Sequence, residues 1–387
     1  MNQTIRNIGK YALRATAIAT ATIAALLVLS WKLNTEWLEA ERTIAEQLQF
    51  SDIFFKWHSH TETPSFNGKT VHVIDINSYK NRKALASLFD SIADVQPYLV
   101  ALDITWGKYA MPDAEEDSLL IAALNRLPNL ILAEEAVCFN SQWQFKHDSI
   151  TKDVQGTRAL VNLPQRVVRK WKSEYSVNND TIATFAAAIA KKMGVQLSKK
   201  QNEWMIDYSI EETPVMDPSA WKKSINLLHN QIVIIGDVED DRDAFVVPAT
   251  FRHNMQAAGV LVHRQILQTI LSGSWIREVS KTTNWIIAGI IIWLFLFCEL
   301  FISNQLAWNE SVKKATIYLT KIFILLLLIL VAYILFWKGH LYINVWGAIL
   351  VPAMIWAGKL IVETITIIVN YCMIIKPTIS IKKGKKK

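Results

Sequence analysis

Aspartates stand at the ends of several apolar runs, where acidic side chains could do chemistry. Asp75, Asp103 and Asp237 each lie near the carboxyl end of a short β-rich run, and Asp243 follows the last of these runs. In an open parallel sheet such ends share one edge, and ligands usually bind there. Carboxylates gathered at that edge could hold a cation or support a hydrolytic or phosphoryl-transfer reaction.

The same aspartates also have a structural explanation. Asp side chains commonly accept backbone N–H bonds in turns and at helix starts. The chain contains no Walker A, dinucleotide-binding, zinc-protease or serine-hydrolase motif beside these carboxylates. We therefore predict that the protein is not an enzyme and uses no metal or cofactor. The four aspartates are kept as candidate ligand-binding positions.

The eight histidines do not improve the case for a metal site, because their spacing matches no zinc motif. His263 stands at the junction of two predicted elements, and we expect a hydrogen-bonded packing role for it. Its reference pKa lies near physiological pH, so proton sensing stays open as an alternative.

Alternating strand-like and helix-like segments must position these side chains. The predicted buried strands are 70–76, 98–104, 129–135 and 231–237. Apolar residues at helical spacing predict helices over 81–95 and 117–127, and a further helix over 181–194. This alternation indicates an α/β domain, mainly a parallel sheet with flanking helices.

Two further elements are predicted towards the end of this domain. A strand is expected near 204–210. The stretch AAGVLVHRQILQTILSG predicts a short strand over 259–262, followed by a helix that stops at Gly273. That helix leads directly towards a long apolar segment.

Charge-poor apolar segments indicate membrane spans. The predicted transmembrane helices are 12–31, 285–303, 322–337 and 341–357. A cleaved signal peptide is an alternative for the first of them. The length of that apolar run and the helical pattern that follows it favour an uncleaved anchor.

Basic residues near the spans predict the orientation. Lysine and arginine cluster before the first span, between the second and third, and in the tail at 382–387, which puts both termini in the cytoplasm. The region 32–281 has 27 basic and 31 acidic residues, a net charge of −4. We therefore expect the bilayer as a partner of the basic flanks, and no nucleic acid.

These patterns divide the chain into five parts. They are a tip with the first span (1–31), a helical stalk and loop (32–69), an α/β domain (70–283), three spans (284–358) and a helical extension with a lysine tail (359–387). In the extension, Leu360, Ile365 and Ile368 form an apolar stripe that would need a partner helix, although a tilted span explains it equally well. Glu299, inside a span, is another candidate partner contact.

The arrangement resembles the CHASE2 family of extracytoplasmic sensor domains, which follow one membrane helix and precede three more. The segments LQFSDIFFKW, VHVIDINSYK and YLVALDITWG carry the resemblance, as does the long stretch 230–273. The residues in that stretch that match the family pattern are Gly236, Asp243, Phe245, Pro248, Gly259 and His263. The resemblance implies that Pro248, Gly259 and His263 couple the α/β domain to the following helix.

Many CHASE2 relatives continue into a cytoplasmic kinase, cyclase or phosphodiesterase, and we expect no such module here. We therefore predict a sensor or adaptor in a bacterial inner membrane, with its main domain outside the cytoplasm. It would act on a separate membrane or cytoplasmic output protein, or on a second copy of itself. The alternatives are a docking subunit of an envelope complex and, third, a hydrolase that uses the aspartates.

Overall fold

The structure is a computed structural model. The residues it describes are 8–20, 49–57, 64–79, 81–104, 106, 114–139, 142–145, 150–163, 167–177, 180–197, 203–216, 223–248, 255–305 and 307–344. The chain forms two compact units: a central unit, Ser51–Arg277, and a terminal unit, Met1–Phe50 with Glu278–Lys387. The central unit therefore begins well before residue 70, where the sequence suggested that the α/β domain starts.

A six-stranded sheet forms the middle of the central unit. Its strands, in spatial order, are β11 (Val215–Met216), β1 (Val71–Asp75), β12 (Ile232–Gly236), β2 (Leu99–Asp103), β3 (Ile131–Glu134) and β6 (Thr157–Leu160). All neighbours in this sheet run parallel. The predicted α/β class with a mainly parallel sheet is confirmed, and all four predicted strands belong to this sheet.

Two helices cover one face of the sheet. These are α3 (Arg82–Val95) and α4 (Ala114–Asn125), and side chains such as Leu85, Phe89 and Leu124 join the buried apolar cluster beneath them. Asn81 begins α3 by accepting a hydrogen bond from Ala84 N at 2.8 Å. A left-handed Gln96 and then Pro97 end it.

Further helices belong to the same unit. They are α2 (Phe50–Trp57), which starts at the unit boundary, α5 (Phe185–Lys192) and α6 (Gly259–Ser272). Helix α6 packs against β1 and β12, and α5 packs against α6, β3 and β6. Gly273 ends α6 in the left-handed conformation, with φ of 69°, as the sequence predicts.

Short strands complete the central unit. They are β4 (Ala136–Phe139), β5 (Gln142–Phe145), β7 (Lys170–Trp171), β8 (Glu174–Val177), β9 (Asp180–Ala183), β10 (Trp204–Met205), β13 (Ala244–Val246), β14 (Gln256–Ala258) and β15 (Arg277–Glu278). The last of them extends one residue past the unit boundary. Eight of them form four small antiparallel pairs, namely β4 with β5, β7 with β10, β8 with β9 and β13 with β14.

Three sequence-based predictions are wrong in detail. The stretch 259–262 is the first turn of α6 rather than a strand, because the strand before it, β14, ends at Ala258. The run 204–210 is a strand only over Trp204–Met205, and the rest is a buried loop. The helix predicted from 181 begins at Phe185, since residues 180–183 pair with β8 instead.

Among the described residues of the terminal unit, two helices are long and apolar enough to cross a membrane. They are α7 (Lys281–Gln305) and α8 (Glu310–Gly339). Helix α1 (residues 8–20) contributes Ala15, Ile18 and Ala19 to an apolar cluster with α7. A two-residue strand, β16 (Leu341–Tyr342), follows α8. The two other predicted spans, 12–31 and 341–357, lie largely outside the described residues.

Candidate functional site

Two of the candidate aspartates are the last residues of strands at the carboxyl edge of the sheet. Strand β12 lies between β1 and β2, and Gly236 at its end is level with Asp75 on one side and Asp103 on the other. A Cβ on Gly236 would lie 2.9 Å from a methyl carbon of Val260 and 3.1 Å from the backbone oxygen of Asp103. Glycine therefore lets the start of α6 approach this edge closely.

Asp75 and Asp237 stabilise turns at this edge. The Oδ1 atom of Asp75 accepts hydrogen bonds from Asn77 N at 3.0 Å and from Val238 N at 3.2 Å. Asp237 Oδ1 accepts a bond from Glu239 N at 3.0 Å. These are the contacts that the structural explanation of the aspartates predicts.

Asp103 has a different environment. Its Oδ2 atom is buried and has no hydrogen-bond partner among the described residues, although the residue as a whole keeps some solvent access. Removal from water disfavours the ionised form, and the negative charge of Asp243 adds to that effect. Together they raise the pKa of Asp103 to about 8. Around neutral pH this carboxyl therefore holds its proton, unlike an ordinary aspartate.

Asp243 lies against the start of α6. A Cβ built on Gly259 would come within 2.6 Å of Asp243 Oδ2. The antiparallel pair β13–β14 sets this approach, because Ala244 is opposite Ala258 in its register. Pro248, another candidate, is buried just beyond β13. The sheet edge, Asp103, Asp243 and the first turn of α6 thus form one site.

His263 lies one turn further along α6 and is 3 % exposed. Its Nε2 atom is 3.2 Å from the carbonyl oxygen of Val161, just after β6, and its ring centroid is 5.2 Å from that of Phe185. Burial lowers the pKa of His263 to about 4, and the bond to Val161 only partly opposes this effect. A neutral imidazole that ties α6 to the end of β6 fits these contacts.

Sequence reasoning missed the polar side of α6. Arg264, Gln265, Gln268 and Thr269 are all at most 2 % exposed. Their positions one turn apart within an otherwise apolar helix could have indicated a buried polar stripe. The buried ion pair between Asp52 and Arg169 was missed as well, because the two residues are 117 positions apart.

No group of three or more His, Cys, Asp or Glu side chains is placed to hold a metal ion within the described ranges. The site at the sheet edge has two carboxyl groups that interact electrostatically, from Asp103 and Asp243, and the raised pKa of Asp103 keeps that carboxyl protonated around neutral pH. Such a pair can take up or release a proton, or bind a cationic or hydrogen-bonding group.

The candidate contacts in the terminal unit are distributed differently. Glu299 of α7 forms an ion pair with Lys321 of α8, with Nζ 2.7 Å from Oε2, so the structure gives this acid a partner within its own chain. Leu360, Ile365 and Ile368 lie outside the described residues.

A comparison against known families identifies the family of the chain. The chain matches the CHASE2 domain over residues 19–301, which is most of its length. It therefore belongs to the CHASE2 family, whose members are extracytoplasmic sensor domains. No curated protein and no solved structure matches the chain.

Proposed function

We propose that this protein is a membrane-anchored sensor or adaptor in a bacterial inner membrane, and that it passes the state of its α/β domain to a separate output protein. One observation carries the proposal. Helix α6 starts against Asp243 and Gly236, beside Asp103 at the candidate ligand-binding edge of the sheet, and only residues 273–280 separate its end from the apolar helix α7. A change at the sheet edge would thus act on the element that precedes a span.

In this proposal both termini are cytoplasmic, four helices cross the membrane and the central unit lies outside the cytoplasm. The distribution of basic residues supports it, since Lys313 and Lys314 stand just after the start of α8. Trp285 near the start of α7 and Trp337 near the end of α8 are also both exposed, as in an aromatic belt at one membrane face.

Cysteine labelling of intact cells tests this topology. Leu227 is 61 % exposed in the central unit, and Lys314 is exposed in the terminal unit. In a chain whose native cysteines are replaced by serine, we expect Leu227→Cys to react with a membrane-impermeant maleimide from outside. Lys314→Cys should react only after the cells are permeabilised. The reverse pattern would overturn the orientation.

The proposed output partner would contact the stripe Leu360, Ile365 and Ile368. An apolar stripe of this kind usually packs against another helix. We expect the double change Ile365→Asp and Ile368→Asp to reduce the amount of a cross-linked, co-purified partner or second copy of the chain. Replacing the terminal lysines by glutamine is the control and should matter much less. An unchanged set of cross-linked species would leave the stripe as part of a tilted span.

A docking subunit of an envelope complex is the second candidate. The hairpin formed by β4 and β5 exposes Val137 and Trp143, which are 45 % and 43 % accessible. Exposed tryptophan is enriched at protein interfaces. A docking role predicts that Trp143→Gln lowers recovery of a partner that is otherwise bound in fixed stoichiometry. A sensor predicts recovery that varies with growth conditions and does not depend on Trp143.

We propose no catalytic activity, cofactor or nucleic-acid partner. The bonds of Asp75 and Asp237 to backbone N–H groups support a structural role for these carboxylates. Purified full-length protein should hydrolyse p-nitrophenyl phosphate no faster than a sample with Asp103→Asn. Turnover that disappears in this variant would instead favour a hydrolase.

A further inference from the structure

A buried loop lies between helices α2 and α6. The loop comprises residues 206–213, and every residue from Ile206 to Ile210 is less than 9 % exposed. Backbone groups in a buried segment outside a sheet or helix need other hydrogen-bond partners. Side chains from its neighbours supply many of these partners.

Helix α6 binds the loop through its polar stripe. The backbone N–H of Asp207 donates to Thr269 Oγ1 at 3.0 Å. Gln265 Nε2 donates to the backbone oxygen of Asp207 at 2.8 Å and to that of Ile210 at 3.3 Å. Arg264 donates to the Thr213 oxygen at 2.9 Å and forms an ion pair with Glu212 at 2.6 Å. Three side chains of one helix thus hold the whole length of the loop.

The opposite side of the loop is attached to the segment around Arg169. Ile206 N donates to the backbone oxygen of Arg169 at 2.8 Å, and the Tyr208 hydroxyl donates to the oxygen of Val168. The Arg169 side chain donates to Asp52 of α2, with Nη2 2.6 Å from Oδ2 and Nε 3.3 Å from Oδ1. This two-pronged ion pair is buried on both sides.

Tyr208 also contacts α2 directly. Its ring meets that of Phe55 edge to face, with centroids 6.3 Å apart. An unbroken series of contacts therefore runs from α2 through Arg169 and the loop to α6. This series connects α2 with α6, and no strand of the main sheet takes part in it.

The polar stripe of α6 is also incompletely bonded. Both amide atoms of Gln268, which is 0 % exposed, lack a hydrogen-bond partner among the described residues, and so does Gln265 Oε1. Buried polar groups in this state cost stability, so the stripe is not optimised for stability alone.

We propose that residues 206–213 are a coupling loop that makes α2 and α6 move as one, so that the segments leading from the first span and towards α7 respond together. This inference rests on the proposed sensor function, because only a sensor needs such coupling. Asp52, Arg169, Gln265 and Thr269 are positioning residues in it. The coupling acts within the chain, between its own helices α2 and α6.

Hydrogen–deuterium exchange of the full chain in detergent tests the coupling. Thr269→Val removes the acceptor of Asp207 N, and we expect exchange to rise about tenfold both in the loop and in residues 50–57 of α2. Tyr208→Phe removes only one hydroxyl and should raise exchange in α2 and in residues 264–272 with little risk to folding. Faster exchange confined to the element that carries each substitution would overturn the proposal.

Glu134→Gln is the matched control, since it breaks the ion pair of Glu134 with Arg158 elsewhere in the central unit. It should leave α2, the loop and residues 264–272 unchanged. If it accelerates them as much as Thr269→Val does, the effect is general destabilisation and the coupling loop is rejected. All these exchange rates are measured in the central unit. A failed search for an output partner would therefore count against the proposed function and not against the loop.

Discussion

Gly259 and Asp243 approach so closely that a Cβ on the glycine would lie 2.6 Å from a carboxylate oxygen of the aspartate. Real Cβ atoms essentially never come so near another heavy atom, so either the carboxylate or the first turn of α6 would have to shift. The contact is with the far end of the exposed Asp243 side chain, so a side chain at position 259 would displace the carboxylate more readily than the helix.

We expect Gly259→Ala to lower the free energy of unfolding by about 1 kcal/mol, the low end of the cost of overpacking, because the Asp243 carboxylate at the end of an exposed side chain can shift. Adding Asp243→Ala to the same chain should recover part of that loss by removing the clashing oxygen. Thermal unfolding of the full chain in detergent measures both changes. If the double variant is no more stable than Gly259→Ala alone, the close contact is not the cause.

Asp103 should make stability depend on pH. Its folded-state pKa of about 8 lies well above the ordinary value of 3.8, so between these values the folded chain keeps a proton that the unfolded chain releases. Stability from this group therefore falls as pH rises from about 4 to about 8. Asp103→Asn should flatten the melting temperature over this range.

Asp243→Ala is the matched variant for Asp103. Burial is the larger cause of the raised pKa and the charge of Asp243 the smaller, so this change should weaken the pH dependence without abolishing it. If the melting temperature changes equally with pH in the original chain and in Asp103→Asn, Asp103 ionises like an ordinary aspartate.

His263 should act in the opposite direction. Its folded-state pKa of about 4 lies below the ordinary value of 6.5, so the unfolded chain binds a proton that the folded chain does not. The corresponding stability is present above about pH 6.5 and is lost as pH falls towards about 4. His263→Phe should reduce this loss, at a cost of about 0.5–1.5 kcal/mol for the missing bond to Val161. His229→Asn, at an exposed site, serves as the control; an equal reduction there would contradict the assignment.

Gln268 should be replaceable by an apolar residue. Its buried amide has no hydrogen-bond partner among the described residues, so Gln268→Leu removes an unsatisfied group of similar size. We expect a gain of about 1 kcal/mol, or roughly 2–4 °C in melting temperature. Gln265→Leu is the contrast and should destabilise, because it breaks bonds to Asp207 and Ile210. A loss of stability in Gln268→Leu would mean that the amide has a partner.

The order of local elements follows from the sequence alone. Short β-rich runs alternate with helical patterns, Asn81 begins one helix, Gly273 ends another, and long apolar segments mark α7 and α8. These features depend on side-chain periodicity and on backbone preferences over a few residues, so they can be recognised without knowing the fold. The resemblance to CHASE2 domains rests on the same local segments, taken in order.

Only the tertiary structure decides which distant groups meet. The late strand β12 enters the sheet between β1 and β2, and this places Gly236 between Asp75 and Asp103. The pairing of Asp52 with Arg169 and the bonds from α6 to residues 206–213 both join segments far apart in the chain. Each arises because groups removed from water must find partners in the packed interior, and sequence periodicity carries no record of which partners those are.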